Sequence, residues 1–149
     1  MPTVSRTFSV RPPPARVVDY LKDFANAEEW DPGTQRCTRI DSGAIDQGAS
    51  WHNVSKIFGV TAELTYTLDE LSDRTLVFVG KNTSSTSTDT ITVDAAGTGS
   101  VLTYRADLEM NGPAKLLNPV MKVVFEKLAD DTEKQMTTTL NGLLTKETK

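Results

Sequence analysis

Trp51-His52-Asn53-Val54-Ser55-Lys56-Ile57-Phe58-Gly59-Val60-Thr61-Ala62-Glu63-Leu64-Thr65-Tyr66-Thr67-Leu68 is two alternating runs on either side of one glycine. That pattern is a β-hairpin. A tight turn at Gly59-Val60 would set Phe58 against Thr61, Ile57 against Ala62, Lys56 against Glu63, Ser55 against Leu64, Asn53 against Tyr66 and Trp51 against Leu68. Successive side chains on a strand point to opposite faces, so the hairpin sorts into two sets. Trp51, Asn53, Ser55, Ile57, Ala62, Leu64, Tyr66 and Leu68 share the more apolar face. His52, Val54, Lys56, Phe58, Thr61, Glu63, Thr65 and Thr67 share the other, with Lys56 and Glu63 expected as an exposed cross-strand pair.

Working outward, further strands are expected at 3–10, 34–42, 75–81, 86–94 and 100–110, and the hairpin itself spans 49–58 and 60–70. Gly43, Gly48, Gly59, Ser72-Asp73, Gly97 and Gly99 supply the turns between them. Pro14 opens a first helix carrying Val17, Val18, Leu21 and Phe24 at helical spacing, which stops at Trp30-Asp31-Pro32-Gly33. Asn118-Pro119 reads as the cap and first residue of a second helix running to about Leu144. Its apolar stripe comprises Leu117, Met121, Val124, Leu128, Met136, Leu140 and Leu143, weakened midway by Asp130-Asp131-Thr132. At about 1.5 Å per residue this helix is about 38 Å long, enough to cross the sheet. Short Gly-containing turns favour antiparallel neighbours. The expected fold is therefore α+β: a curved antiparallel sheet of about seven strands around a long C-terminal helix, one domain over 1–149.

Composition narrows the function classes. A net charge of -4 speaks against nucleic acid as a partner, which needs a basic face. The one cysteine, Cys37, leaves no intrachain disulfide and suits a reducing compartment. No signal-like apolar run follows Met1, and no apolar stretch reaches the roughly 18 residues of a membrane span. The expected location is the cytoplasm, without integral membrane contact. One histidine and one cysteine are too few for a zinc site, and no phosphate or dinucleotide loop is present, so no metal and no cofactor is expected.

Candidate site residues come from the inward face. Leu102, Tyr104, Ala106, Leu108 and Met110 share one side of the last strand, and Ile91 and Val93 carry Asp89 and Ser87 inward with them. Apolar walls with a few polar atoms are what small-molecule pockets have, whereas each polar group buried without a partner in a plain core costs about 1–3 kcal/mol. The candidate ligand-binding residues are Trp51, Asn53, Ser55, Tyr66, Asp89 and Tyr104, with Met121 and Phe125 from the helix. Each has a plainer role. Tyr66 and Tyr104 can pack their rings and reach water with their hydroxyls. Met121 and Phe125 can be core. The Ser/Thr-rich strand can lie at a sheet edge, leaving Asp89 solvated, which is the expectation adopted. His52 falls on the wet face and Cys37 is a small filler, so no nucleophile–histidine pair forms. No catalytic residue is assigned.

Trp30-Asp31-Pro32-Gly33, Gly48-Ala49-Ser50-Trp51, and Leu102-Thr103-Tyr104-Arg105-Ala106 followed by Gly112 and Asn118-Pro119 resemble the START-like (SRPBCC) superfamily, in its polyketide cyclase/dehydrase and lipid-transport branch. The resemblance implies a helix-grip fold with a cavity between sheet and terminal helix. Relatives bind lipids, sterols, quinones, plant hormones or polyketides, and some cyclise aromatic polyketides. No catalytic motif of the family matches this sequence. Three functions compete: binding of a small hydrophobic ligand; a polyketide cyclase or dehydratase-like enzyme with Tyr66, Tyr104 and Asp89 as acid/base groups; and a protein-interaction module of chaperone-activator type.

Overall fold

The structure, a computed structural model, describes residues 3–57, 59–110 and 118–147; at Ile57, 118–122 and 145–147 it describes the backbone alone. Leu117 lies outside the described residues, and so does the side chain of Met121.

Seven strands form one antiparallel sheet: β1 (Thr3–Val10), β2 (Thr34–Arg39), β3 (Ser50–Ile57), β4 (Val60–Leu71), β5 (Thr75–Lys81), β6 (Ser85–Ala96) and β7 (Gly99–Met110). Their order is β1-β7-β6-β5-β4-β3-β2. Among the described residues the α-helices are α1 (Pro14–Leu21), α2 (Ala27–Trp30) and the long α3 (Asn118–Glu147). This is the α+β helix-grip arrangement.

The first helix is broken where the sequence suggested one piece. α1 ends at Leu21, a single 3-10 turn spans Phe24–Asn26, and α2 follows. Asp23 causes the break: it is extended, and its carboxylate accepts from Ala25 N, starting a new turn. The kink sends Phe24 and Trp30 into the core, both about fully buried.

The hairpin's faces hold, but its register differs by two residues. Ile57 pairs with Val60, Ser55 with Ala62, and Trp51 with Tyr66. The turn therefore lies between Ile57 and Val60, where Gly59 supplies φ +81. Because strands alternate with period two, a slip of two preserves the faces and changes only the partners. Glu63 then lies opposite Val54, not Lys56, and its carboxylate reaches His52 Nε2 at 2.9 Å.

β6 is not an edge strand. It pairs with β5 and β7 along its length, so Asp89 is 5% exposed on the inner face. The sheet's true edges are β1 and β2.

The inner face divides along the strands. At one end Leu68, Leu76, Phe78, Ile91, Val93 and Leu102 are fully buried, and Met136, Leu140 and Leu143 of α3 join their core. α3 is fastened there by side chains: Gln135 Nε2 and Thr139 Oγ1 both donate to Glu29 O, at 2.8 and 3.2 Å. Farther toward its N-terminus, Arg6 of β1 donates to Glu126 Oε2 (2.9 Å), to Glu126 O (3.2 Å) and to Asp130 Oδ1 (3.0 Å). The polar midpoint that weakened the apolar stripe thus anchors the helix to the sheet.

Gly80 matters to this packing. A Cβ there would stand 2.5 Å from Tyr66 Cζ, so the ring lies flat on the glycine. Gly80→Ala is expected to destabilise the protein by roughly 1–3 kcal/mol, as overpacking does. It should also move the Tyr66 aromatic resonances; unchanged stability and spectrum would contradict the packing.

Candidate functional site

At the other end of the inner face the sheet and α3 part, leaving a cavity of about 420 Å³. Its apolar walls come from Val4 of β1, Ala62 and Leu64 of β4, Ala106, Leu108 and Met110 of β7, and Val124, Phe125, Leu128 and Ala129 of α3. Val60 and Ser85 mark the end where the β3–β4 and β5–β6 turns lie. Its polar groups are Asp31 and Gly33 from the turn after α2, Ser55, Tyr66, Ser85, Ser87, Asp89, Tyr104, and Thr132 from α3.

An aromatic cluster adjoins the cavity, with Phe24 at its hub. The Phe24 ring centroid lies 4.5 Å from those of Tyr66 and Phe78, 6.0 Å from Trp30 and 6.1 Å from Trp51. Trp30 in turn meets Tyr104 edge-on at 6.1 Å. The two tyrosines are thus held by their rings, and both line the cavity.

Five of the eight residues singled out from the sequence line this space: Ser55, Tyr66, Asp89, Tyr104 and Phe125. Trp51 and Asn53 share the inward face but not the cavity. Trp51 is buried under Phe24 and Phe78, donating Nε1 to Asp23 Oδ1 at 3.2 Å. Asn53 is buried beside β2, donating Nδ2 to Thr34 Oγ1 and accepting from Ser55 Oγ at 2.6 Å. It orients a lining residue from behind. Alternation gives a side chain's face, but the α1–α2 segment covers one end of that face, and β3 enters beneath it. The side chain of Met121 lies outside the described residues.

Asp31 is the cavity residue that periodicity missed, because it sits in a turn. Its carboxylate accepts from Gly33 N at 3.0 Å and from Thr34 Oγ1 at 2.9 Å. Asp-Pro-Gly-Thr is an Asx-turn signature, and it fixes the half-buried carboxylate. Desolvation raises the Asp31 pKa, opposed by those two hydrogen bonds.

Asp89 is more strongly perturbed. Burial first, then the nearby charge of Asp31, pushes its pKa up to about 8; a hydrogen bond from the Tyr104 hydroxyl opposes the rise. Asp107 adds a smaller push. Tyr66 and Tyr104 are both raised well above the ordinary tyrosine value, by burial first and then by Asp89. Ser87 hydrogen-bonds the Tyr66 hydroxyl. At neutral pH the inner end of the cavity therefore presents a protonated carboxyl, two phenols and a serine hydroxyl. That set can donate and accept hydrogen bonds, and can give up or take a proton.

The remaining reactive groups are elsewhere. Cys37 is buried, and desolvation raises its thiol pKa to about 12, so it stays protonated. His52 is on the outer face with Glu63. Among the described residues no group of three His, Cys, Asp or Glu is placed to hold a metal ion. Nor, among them, is any helix long and apolar enough to cross a membrane.

The family model described as polyketide cyclase / dehydrase and lipid transport matches residues 1–141. The chain belongs to that family. No curated protein matches it significantly. Among solved structures, a Thermus thermophilus protein is similar at TM-score 0.80 and 13% identity, covering 95% of this chain and 99% of that one. A START superfamily protein from Mycobacterium smegmatis is similar at TM-score 0.79 and 14% identity, covering 95% and 98%. The Zhui aromatase/cyclase from Streptomyces is similar at TM-score 0.75 and 13% identity, covering 99% and 95%. These likenesses share the helix-grip fold.

The raised Asp89 pKa has a stability consequence with a definite sign. Between an unfolded pKa of about 3.9 and the folded value, the folded state holds more protons than the unfolded chain. Its stability is greatest below that window and falls as pH rises towards about 8. Asp89→Asn removes the titration and keeps the shape. The melting temperature of the variant minus that of the wild type should climb steadily from about pH 4.5 to about pH 8. A difference that stays flat over this range would contradict a buried, unpaired carboxyl.

Proposed function

We propose that the chain, as a member of the polyketide cyclase / dehydrase and lipid transport family, binds one small hydrophobic or amphipathic molecule between its sheet and α3. Lipid, sterol, quinone and polyketide-like molecules are the classes to test. One observation carries the reading: a cavity of about 420 Å³ with mostly apolar walls and a few polar groups among them. Its volume lies within the usual range of ligand pockets. Ser55, Tyr66, Asp89, Tyr104 and Phe125 are the proposed contacts, joined by Asp31 and Ser87. The protein acts as one START-like domain over 1–149, in the cytoplasm, where its buried thiol remains reduced.

A second reading is supported by Asp89 and Tyr104. A carboxyl that keeps its proton near neutrality, hydrogen-bonded to a phenol, is suited to general acid–base work on a bound polyketide. Cyclase or dehydratase-like turnover that survives both Tyr104→Phe and Asp89→Asn would remove these residues from that role. An interaction module of chaperone-activator type is disfavoured, because a formed cavity gives a small molecule somewhere to go.

A thermal-shift screen against sterols, fatty acids, quinones and aromatic polyketides tests the binding reading. A ligand at about 100 times its Kd adds roughly 2.7 kcal/mol. For a domain of this size that is roughly 5–10 °C. Ala106 faces Asp89 across the β6–β7 ladder and lines the cavity. Ala106→Leu should keep or raise the melting temperature of the free protein while abolishing the ligand shift. A ligand that shifts wild type and Ala106→Leu equally binds elsewhere.

A further inference from the structure

The inner end of the cavity has an uncompensated sign. Two carboxylates, Asp31 and Asp89, line it, and among the described lining residues there is no lysine, arginine or histidine. Asp89 is 5% exposed and lines the open space; its hydrogen-bond partner is the Tyr104 hydroxyl. One such bond leaves most of a carboxylate's acceptor positions unused. Two arginines of the sheet are engaged elsewhere: Arg6 is held by Glu126 and Asp130 of α3, and Arg39 pairs with Asp41 and lies over Trp51 at 5.6 Å. Tyr66 and Tyr104 are close enough to feel the Asp89 charge, and Phe125 lines the same cavity. Carboxylates among aromatic faces attract a cation twice, by charge and by the ring quadrupole. The same surroundings disfavour a carboxylate or phosphate, whose charge would lie beside Asp31 with no cation among the described lining residues.

We propose that the inner end of this cavity takes a positively charged nitrogen, a primary or secondary amine carried on an otherwise apolar ligand, in contact with Asp89 and Asp31. This rests on the cavity being a ligand site. It narrows the ligand class away from free fatty acids and other anionic amphiphiles. Loading the amine as a cation draws Asp89 into its ionised form, and its proton leaves to the buffer. The groups that act on Asp89 are Asp31 from the turn after α2, and Tyr104 and Asp107 from β7. Tyr66 of β4 feels the Asp89 charge in turn. Facing from α3 are Phe125, Ala129 and Thr132, none of them charged.

The test is calorimetric titration with three matched probes: naphthylmethylamine, naphthylmethanol and naphthylacetate. The amine should bind at least about tenfold more tightly than the alcohol, as charge-assisted hydrogen bonds exceed neutral ones. The acid should bind more weakly than the alcohol. At neutral pH the amine's binding enthalpy should vary with the buffer's ionisation heat, reporting a released proton, and the alcohol's should not. Asp89→Asn should bring the amine-to-alcohol ratio toward one. Asp31→Asn, which can keep its turn hydrogen bonds, should lower the same ratio and serves if the first variant folds poorly. If the alcohol or acid binds as well as the amine, the charge proposal is overturned and the cavity reading stands. If none of the three binds, both fail together.

Discussion

α3 rests on the sheet along only part of its length, and the rest of the molecule follows from that. Met136, Leu140 and Leu143 sink into the core, and Gln135 and Thr139 share the Glu29 carbonyl. Farther toward its N-terminus the helix is held by the Arg6 contacts with Glu126 and Asp130. These contacts are half-exposed ion pairs, worth little individually, but the Arg6 bond to a backbone carbonyl fixes the distance between helix and strand. Along that Arg6-held stretch Val124, Phe125, Leu128, Ala129 and Thr132 face the gap between helix and sheet, and the gap is the cavity.

What lines that gap is unusual for a core. The aromatic cluster around Phe24 seals one end, so Tyr66 and Tyr104 have no freedom to turn away. Gly80 supplies the flat bed on which Tyr66 lies. Two carboxylates then enter from different elements, Asp31 on a turn and Asp89 on a central strand. Neither meets a cation among the described residues of the cavity, so each is penalised for ionising, and the charge of Asp31 raises Asp89 further. A protein interior tolerates such groups when they serve a site.

Much of this was legible in the sequence, for identifiable reasons. The alternation across Trp51–Leu68 gave the correct faces even with the turn misplaced by one residue, since that error moves the pairing by two. The Ser/Thr-rich run from Ser85 to Asp94 misled, because composition suggested exposure while neighbours distant in sequence cover the strand on both sides. Trp51 and Asn53 were assigned to the pocket because alternation fixes a face and says nothing of what lies over it. Asp31 escaped because its position depends on how the turn after α2 folds back on the sheet; only its Asp-Pro-Gly-Thr context hinted at a fixed carboxylate. The broken first helix escaped because Phe24 keeps helical spacing with Leu21 while Asp23 starts a new turn.

The central claim is that an uncompensated, buried acid marks one end of the cavity. The most direct measurement is the titration of the Asp89 side-chain carboxyl carbon by NMR, assigned against Asp89→Asn. The account predicts a midpoint near 8 in the free protein. A midpoint near the ordinary aspartate value of about 3.9 would mean that this carboxylate is solvated or paired, and would contradict the account.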